Sequence, residues 1–263
     1  MIEMTPVAAE KLRELRGTDP SRAFLRMYVA GKSCCSYQYG LAFDATPDEK
    51  DTVSDVAGIP LAVVSDIVGI YHARVAVRGR ADHAGATVMT ARADALAAAA
   101  EMVLAVERIA RGRPDAVGTV GEIAVRPGAK NVVPGECVFT LDLRTARDHD
   151  GLVREVVETV GRVASGRGVE AAIDELARVP ATSLDPRIRV VLKRAIASVG
   201  VEAPELVSGA GHDAQNPALS GVPTGMIFVR STGGSHTPRE FASLDDSVLG
   251  ARALATALRE LTQ

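Results

Sequence analysis

The sequence predicts a mixed α+β / α/β protein. Two observations carry this. Between Tyr71 and Val179 the hydrophobic pattern runs strand–helix–strand–strand–helix–strand, an order that fits a small ferredoxin-like sandwich. After Pro180 helices alternate with a short buried-type strand and Gly-rich loops. A small β-rich segment precedes both.

Taken in order, "TPVAAEKLREL" reads as a helix, with Thr5 as N-cap and Pro6 at the first helical position. "AFLRMYVA" and "YGLAFDA" read as short strands on either side of a loop that holds Cys34 and Cys35, and "TPDEKDT" as a turn. "GIPLAVVSDIVGI" is an apolar run of strand type. "YHARVAVRG" alternates with period two. "TARADALAAAAEMVLAVERIARG" predicts a long helix closed by Gly112; its Ala run is helix propensity. "VGTVGEIAVRP" and "GECVFTLDLRT" predict strands, "DHDGLVREVVETVGRVASGRG" a second helix and "VEAAIDELARV" a further strand. Beyond Pro180 come a helix ("DPRIRVVLKRAIASVG"), a loop ("SGAGHDAQNPALSG"), a buried-type strand ("TGMIFVR"), a Gly-rich loop and a closing helix from Ser243.

Composition excludes several function classes. A net charge of -3 gives no electrostatic footprint for nucleic acid, and aromatics at 3% with no Trp offer no base-stacking platform. The N-terminus carries early acids and no apolar run of signal-peptide type, and no stretch reaches the ~20 apolar residues of a membrane span. Three cysteines, two adjacent, make no disulfide framework; a reducing cytoplasm is the expected location.

Several polar residues have chemistry to offer. His236 follows two glycines, so its imidazole can approach a metal closely; taken alone, a His in such a loop is more often a surface residue. Arg144 presents a planar fork for a carboxylate, and Asn131 can donate and accept. Gly211 permits close backbone approach, with His212 and Gln215 as polar neighbours on one loop. Read singly, Arg144 is a solvated charge at a strand end and Asn131 a turn residue. His72 and His149 are assigned to structure or surface, and Cys137 is read as a half-buried small hydrophobe.

Four motifs, "GRADHAGATVMTARADAL", "PGAKNVVPGECVFTLDLR", "SGAGHDAQNPA" and "GGSHTPREF", occur in that order. Together they resemble the zinc-dependent amidohydrolases that include N-carbamoyl-L-amino-acid hydrolases, ureidopropionases and allantoate amidohydrolases. The resemblance runs from about Ile59 to the C-terminus. It implies a ferredoxin-like lid that also dimerises, at residues 68–180, and the last part of a zinc-exopeptidase-like catalytic domain, at 181–263. It further implies a small ureido or carbamoyl acid as substrate and a zinc or manganese pair with His236 as one ligand. Substrate contacts are implied at Asn131, Arg144, Gly211, His212 and Gln215, and at His83, whose loop in relatives reaches the partner subunit's site. In relatives the other metal ligands, a bridging Asp and a catalytic Glu–Glu pair precede the lid. Here about 60 residues of different character precede it, and His72 is the first His in the chain. No catalytic residue is therefore assigned, and independent turnover is not expected.

The opening segment resembles another family. The helix start, the "GxxC" loop followed by "QYG" and the "FD…P…DTV" stretch are similar to A-type (HesB-like) iron–sulfur carriers over residues 1–56, within a first segment bounded at 58. In that family Cys34 would be a cluster ligand, and Cys35 stands where Ser is common. The carriers' C-terminal Cys-Gly-Cys pair is missing, so at most two thiolates face a cluster that takes about four, and no cluster is expected. Three readings follow: an amidohydrolase-family protein with impaired activity, an iron–sulfur carrier, or a non-catalytic dimerising partner.

Overall fold

The computed structural model describes residues 60–262 and the two strands at 24–32 and 37–44. The expected first helix, Cys34 and Cys35 lie outside the described residues. Strands β1 (Phe24–Lys32) and β2 (Tyr37–Asp44) form an antiparallel hairpin registered from Phe24↔Asp44 to Lys32↔Tyr37.

The chain separates into two compact units, the larger made of Val63–Arg194 and Pro204–Ile227. The apolar run at 58–70 yields β3 (Leu61–Ile67) and the start of β4 (Gly69–Arg78) rather than one strand. The break falls at Val68, whose N–H leaves the ladder to donate to the Ser208 carbonyl at 3.0 Å. Gly69 has no room for a side chain, since a Cβ there would lie 2.6 Å from His149 Cγ.

Five more strands and two helices follow: β5 (Asp82–His83), α1 (Ala95–Arg111), β6 (Val117–Thr119), β7 (Ile123–Arg126), β8 (Val132–Val133), β9 (Glu136–Thr145) and α2 (His149–Arg167). Then comes β10 (Glu170–Val179). The main sheet has the order β10-β4-β9-β6, with β7 also pairing β9, and all its pairs are antiparallel. The alternation seen in the sequence sorts β4 and β9 into two faces. Tyr71, Ala73, Val75 and Val77, with Cys137, Phe139, Leu141 and Leu143, point to the inner face and are buried. Helices α1 and α2 cover that face with Ala98, Met102 and Val106, and with Leu152, Val156 and Val160. These spacings of four put apolar residues on one helical stripe. His72, Asp142 and Arg144 lie on the opposite face, at the alternate positions.

Several expectations change. The first long helix starts at Ala95, not Thr90, and Asp94 caps it by accepting from Ala97 N at 3.0 Å. The preceding residues are spent on the His83 loop, where Arg92 donates to the carbonyls of Ala84 and Thr87. "VGTVGEIAVRP" splits into β6 and β7, which both pair with β9. Cys137 is fully rather than half buried, and burial raises its thiol pKa.

His149, the first residue of α2, is 6% exposed and its Nε2 has no hydrogen-bond partner. Burial depresses its pKa and Arg178 adds to this, while Asp150 and the Leu143 backbone pull the other way. A depressed histidine stabilises the fold above its unfolded value, near 6.5, and that stability is lost as pH falls through the lower folded value. Urea unfolding at pH 7.5 and pH 5.5 is expected to show a larger loss in the wild type than in His149→Gln; equal losses would refute this.

The larger unit continues with β11 (Thr182–Ser183), α3 (Pro186–Ser198, whose last turn passes into the smaller unit), β12 (Glu205–Ser208) and α4 (Gln215–Leu219). β11 joins β3 antiparallel and β12 joins it parallel. The expected loop at 208–221 thus contains a short helix.

In the smaller unit, β13 (Ile227–Val229, its first residue in the larger unit) is shorter than "TGMIFVR" suggested and half-buried rather than buried. α5 (Leu244–Leu261) is capped by Ser243, whose hydroxyl accepts from Asp246 N at 3.0 Å. Arg230 holds the buried Asp246 carboxylate through Nε and Nη2, both at 3.0 Å. The hydroxyl of Ser243, and then Arg230, keep that carboxyl below its ordinary pKa. Among the described residues no helix is long and apolar enough to cross a membrane.

Candidate functional site

The outer face of the main sheet carries an ion-paired group. Arg144 Nε and Nη2 donate to the two oxygens of Asp142, each at 2.8 Å. The spacing of two residues puts both side chains on one face of β9, so the pairing follows from the strand itself. His72 stands directly opposite Asp142 in the ladder, and its Nε2 lies 3.4 Å from Asp142 Oδ2. Hydrogen bonds from Arg144 hold the Asp142 carboxyl below the usual carboxylate range, against partial burial that raises it. Arg144 Nη1 reaches across to donate to the Gly209 carbonyl at 3.1 Å.

That last bond ties β9 to the loop after β12. Ser208 is 2% exposed, and its hydroxyl lies 2.8 Å from His212 Nε2. The pair resembles a nucleophile and its base, but Ser208 is buried and its hydroxyl also donates to the Ala210 carbonyl at 2.9 Å, a bond that competes with donation to His212. Ala210 N donates to the same oxygen. Gln215, 4% exposed, accepts from His212 N at 3.2 Å and donates to the Val68 carbonyl at 3.3 Å. A Cβ at Gly211 would meet Gln215 Oε1 and Ile70 Cδ1, both at 3.2 Å. The structure therefore brings Arg144 of β9 to the loop that carries Gly211, His212 and Gln215 and that Ser208 braces.

His83 and Asn131 lie elsewhere. The β5–β8 pair joins His83 to Val132, and Ala84 N donates to the Asn131 carbonyl at 3.0 Å. Arg144 pairs with Ile70, whereas Glu136 pairs with Arg78, beyond which His83 follows. Eight residues of strand separate these ends, roughly 26 Å at the ordinary rise per residue. His83 Nδ1 accepts from Gly85 N and Ala86 N, both at 3.1 Å, which leaves the proton on Nε2 at the exposed tip. Its loop is rigidly seated: a Cβ at Gly79 would come 2.0 Å from the Ala93 carbonyl oxygen, and Arg80 donates to the Ala91 carbonyl.

His236 belongs to the smaller unit. It is exposed, has φ 60, and its backbone N–H donates to Glu240 Oε2 at 2.9 Å. Thr232 and Phe241 close the loop with a pair of backbone hydrogen bonds, and at Gly233 a Cβ would strike the Arg239 carbonyl. Among the described residues no three His, Cys, Asp or Glu side chains converge as metal ligands. The described residues do not by themselves fit a resident zinc or manganese pair, and no step is derived through one.

Sequence reasoning missed Asp142 and Ser208 and assigned His72 to structure or surface, where its side chain is 42% exposed. The signal for Asp142 was available: a carboxylate two residues before an arginine in a strand shares its face.

The sequence pattern of Peptidase family M20/M25/M40 matches residues 43–260, and this chain belongs to that family. The match begins earlier than Ile59, inside the segment compared with iron–sulfur carriers. The chain is 38% identical over 217 residues to an N-carbamoyl-L-amino-acid amidohydrolase of Paenarthrobacter aurescens, covering 81% of this chain and 52% of the relative. It is 32% identical to an allantoate amidohydrolase of Bacillus subtilis (strain 168), covering 81% and 52%. A crystal structure of an amidase of the hydantoinase/carbamoylase family from Burkholderia multivorans superposes with a TM-score of 0.69 at 33% identity, over 75% of this chain and 49% of that one. The chain spans about half the length of the curated relatives it matches.

Proposed function

We propose that this chain is the lid and carboxylate-binding portion of a hydrolase that acts on linear amides of N-carbamoyl amino acids or ureido acids such as allantoate. The observation that carries the reading is Arg144. It is 27% exposed, and after its bonds to Asp142 and Gly209 one N–H remains on each of Nη1 and Nη2. Those two donors match the two oxygens of a substrate carboxylate. Gly211 to Gln215 form the adjoining wall. In this reading His236 would be one ligand of a zinc or manganese ion, and the chemistry such an ion would supply is polarisation of the amide carbonyl. Calorimetric titration tests the reading: an N-carbamoyl-L-amino acid is expected to bind, and the matching alkyl urea without a carboxylate is not. Equal binding of both would sink it.

In the same reading residues 68–180 are a ferredoxin-like lid through which two copies pair. The outer edge of β6 and β7 supports this, because Val117 is 56% and Ile123 49% exposed there, and Leu104 on α1 is 63% exposed. An open edge with apolar side chains is suited to a two-fold contact. Sedimentation is expected to give a dimer at about 10–50 μM, a range set for micromolar association, and Ile123→Lys a monomer. A monomeric wild type would refute the pairing.

A further inference from the structure

We propose that Asp142, backed by His72, is the positioning residue that aims Arg144 at the substrate carboxylate. The inference rests on the carboxylate-binding reading of Arg144 given above. An arginine side chain on an open strand face has many rotamers, and each wrong one costs affinity when a ligand selects the right one. Here the choice is made in advance. Asp142 occupies the Nε and Nη2 donors side-on, both at 2.8 Å, which fixes the plane of the guanidinium and its rotation about the Cδ–Nε bond. The Gly209 carbonyl holds Nη1 at 3.1 Å from the other side. One donor on each of Nη1 and Nη2 is then left over.

Asp142 is itself held. His72 is its registered neighbour on β4, 3.4 Å from Oδ2, and both side chains come from the interior of a paired ladder, which cannot shift without breaking it. The three residues form a row across two strands: His72 steadies Asp142, and Asp142 steadies Arg144. Asp142 also carries negative charge beside a site for an anion. A residue that only neutralised Arg144 would weaken binding, so the two roles predict opposite effects of removing the charge.

The test uses the full chain with Asp142→Asn, which keeps the shape and one acceptor oxygen. Two readings are taken: solvent exchange of the Arg144 Nε–H by 15N NMR without ligand, and affinity for an N-carbamoyl-L-amino acid by calorimetry. Faster Nε–H exchange and an affinity loss of about tenfold are expected, with Asp142→Glu recovering part of both. Unchanged exchange would overturn the proposal, as would unchanged or tighter binding by Asp142→Asn. A wild type that binds no carboxylate would remove the reading of Arg144, while the exchange measurement would still decide whether Asp142 clamps it. Should Asp142→Asn fail to fold, His72→Gln, at a partly exposed position, is expected to speed Nε–H exchange in the same direction, and no change would overturn the proposal.

Discussion

Replacing Phe139 with alanine is expected to lower the unfolding free energy by about 3–5 kcal/mol, the largest stability effect of any single change considered. Phe139 is the largest fully buried side chain described and sits at mid-strand on β9, between Val75 of β4 and Ile123 of β7. Ala98 and Ala99 of α1 belong to the same buried cluster and have no side chain long enough to extend into a void. The loss should therefore include a large cavity contribution as well as transfer. Urea melts followed by circular dichroism measure it. Phe139→Leu should cost less than half as much, and a loss under about 1 kcal/mol for Phe139→Ala would mean that the core closes over the gap.

Arg144→Ala is expected to abolish measurable binding of N-carbamoyl amino acids. Removing a hydrogen-bonded charge from a partly desolvated pair costs about 2–5 kcal/mol, or roughly 30- to several thousand-fold in affinity. Arg144→Lys should recover little, because an ammonium is a point charge and cannot fill the Asp142 fork while presenting two parallel donors outward. Stability should change far less, since Asp142 is 33% exposed and water can replace its partner. Calorimetry on the three proteins decides it, and an affinity in Arg144→Ala within twofold of wild type would remove Arg144 from the site.

Regular alternation and helical spacing were legible because burial imposes them. β4 and β9 each keep one buried face over ten residues, and α1 and α2 each keep one apolar stripe. Elements held by a few tertiary bonds were not legible. β5, β8 and β12 are two to four residues long, too short for a period, and exist because a partner strand lies beside them. The Thr90 boundary failed for a related reason: local propensity favours helix, but the carbonyls of Ala84 and Thr87 claim Arg92. At the candidate site, the residue types could be picked out one by one, yet their grouping could not. Arg144 meets Gly209 across 65 residues of sequence, and His83 is parted from Arg144 by the length of a strand.

The strand order has a consequence for the protein as it is being made. β4 is the first strand of its sheet to leave the ribosome, and it ends up in the middle, between β9 and β10. Its partner β10 begins only at Glu170, so one side of β4 stays unmatched while the intervening chain is synthesised. At typical elongation speeds that interval lasts roughly 5–20 s, far longer than a hairpin or helix takes to form. During it the nascent chain presents an unpaired, Val-rich edge next to a nearly assembled apolar layer. Arrest of translation between β9 and β10 should therefore yield a species that recruits holdase chaperones, and release past Val179 should free it.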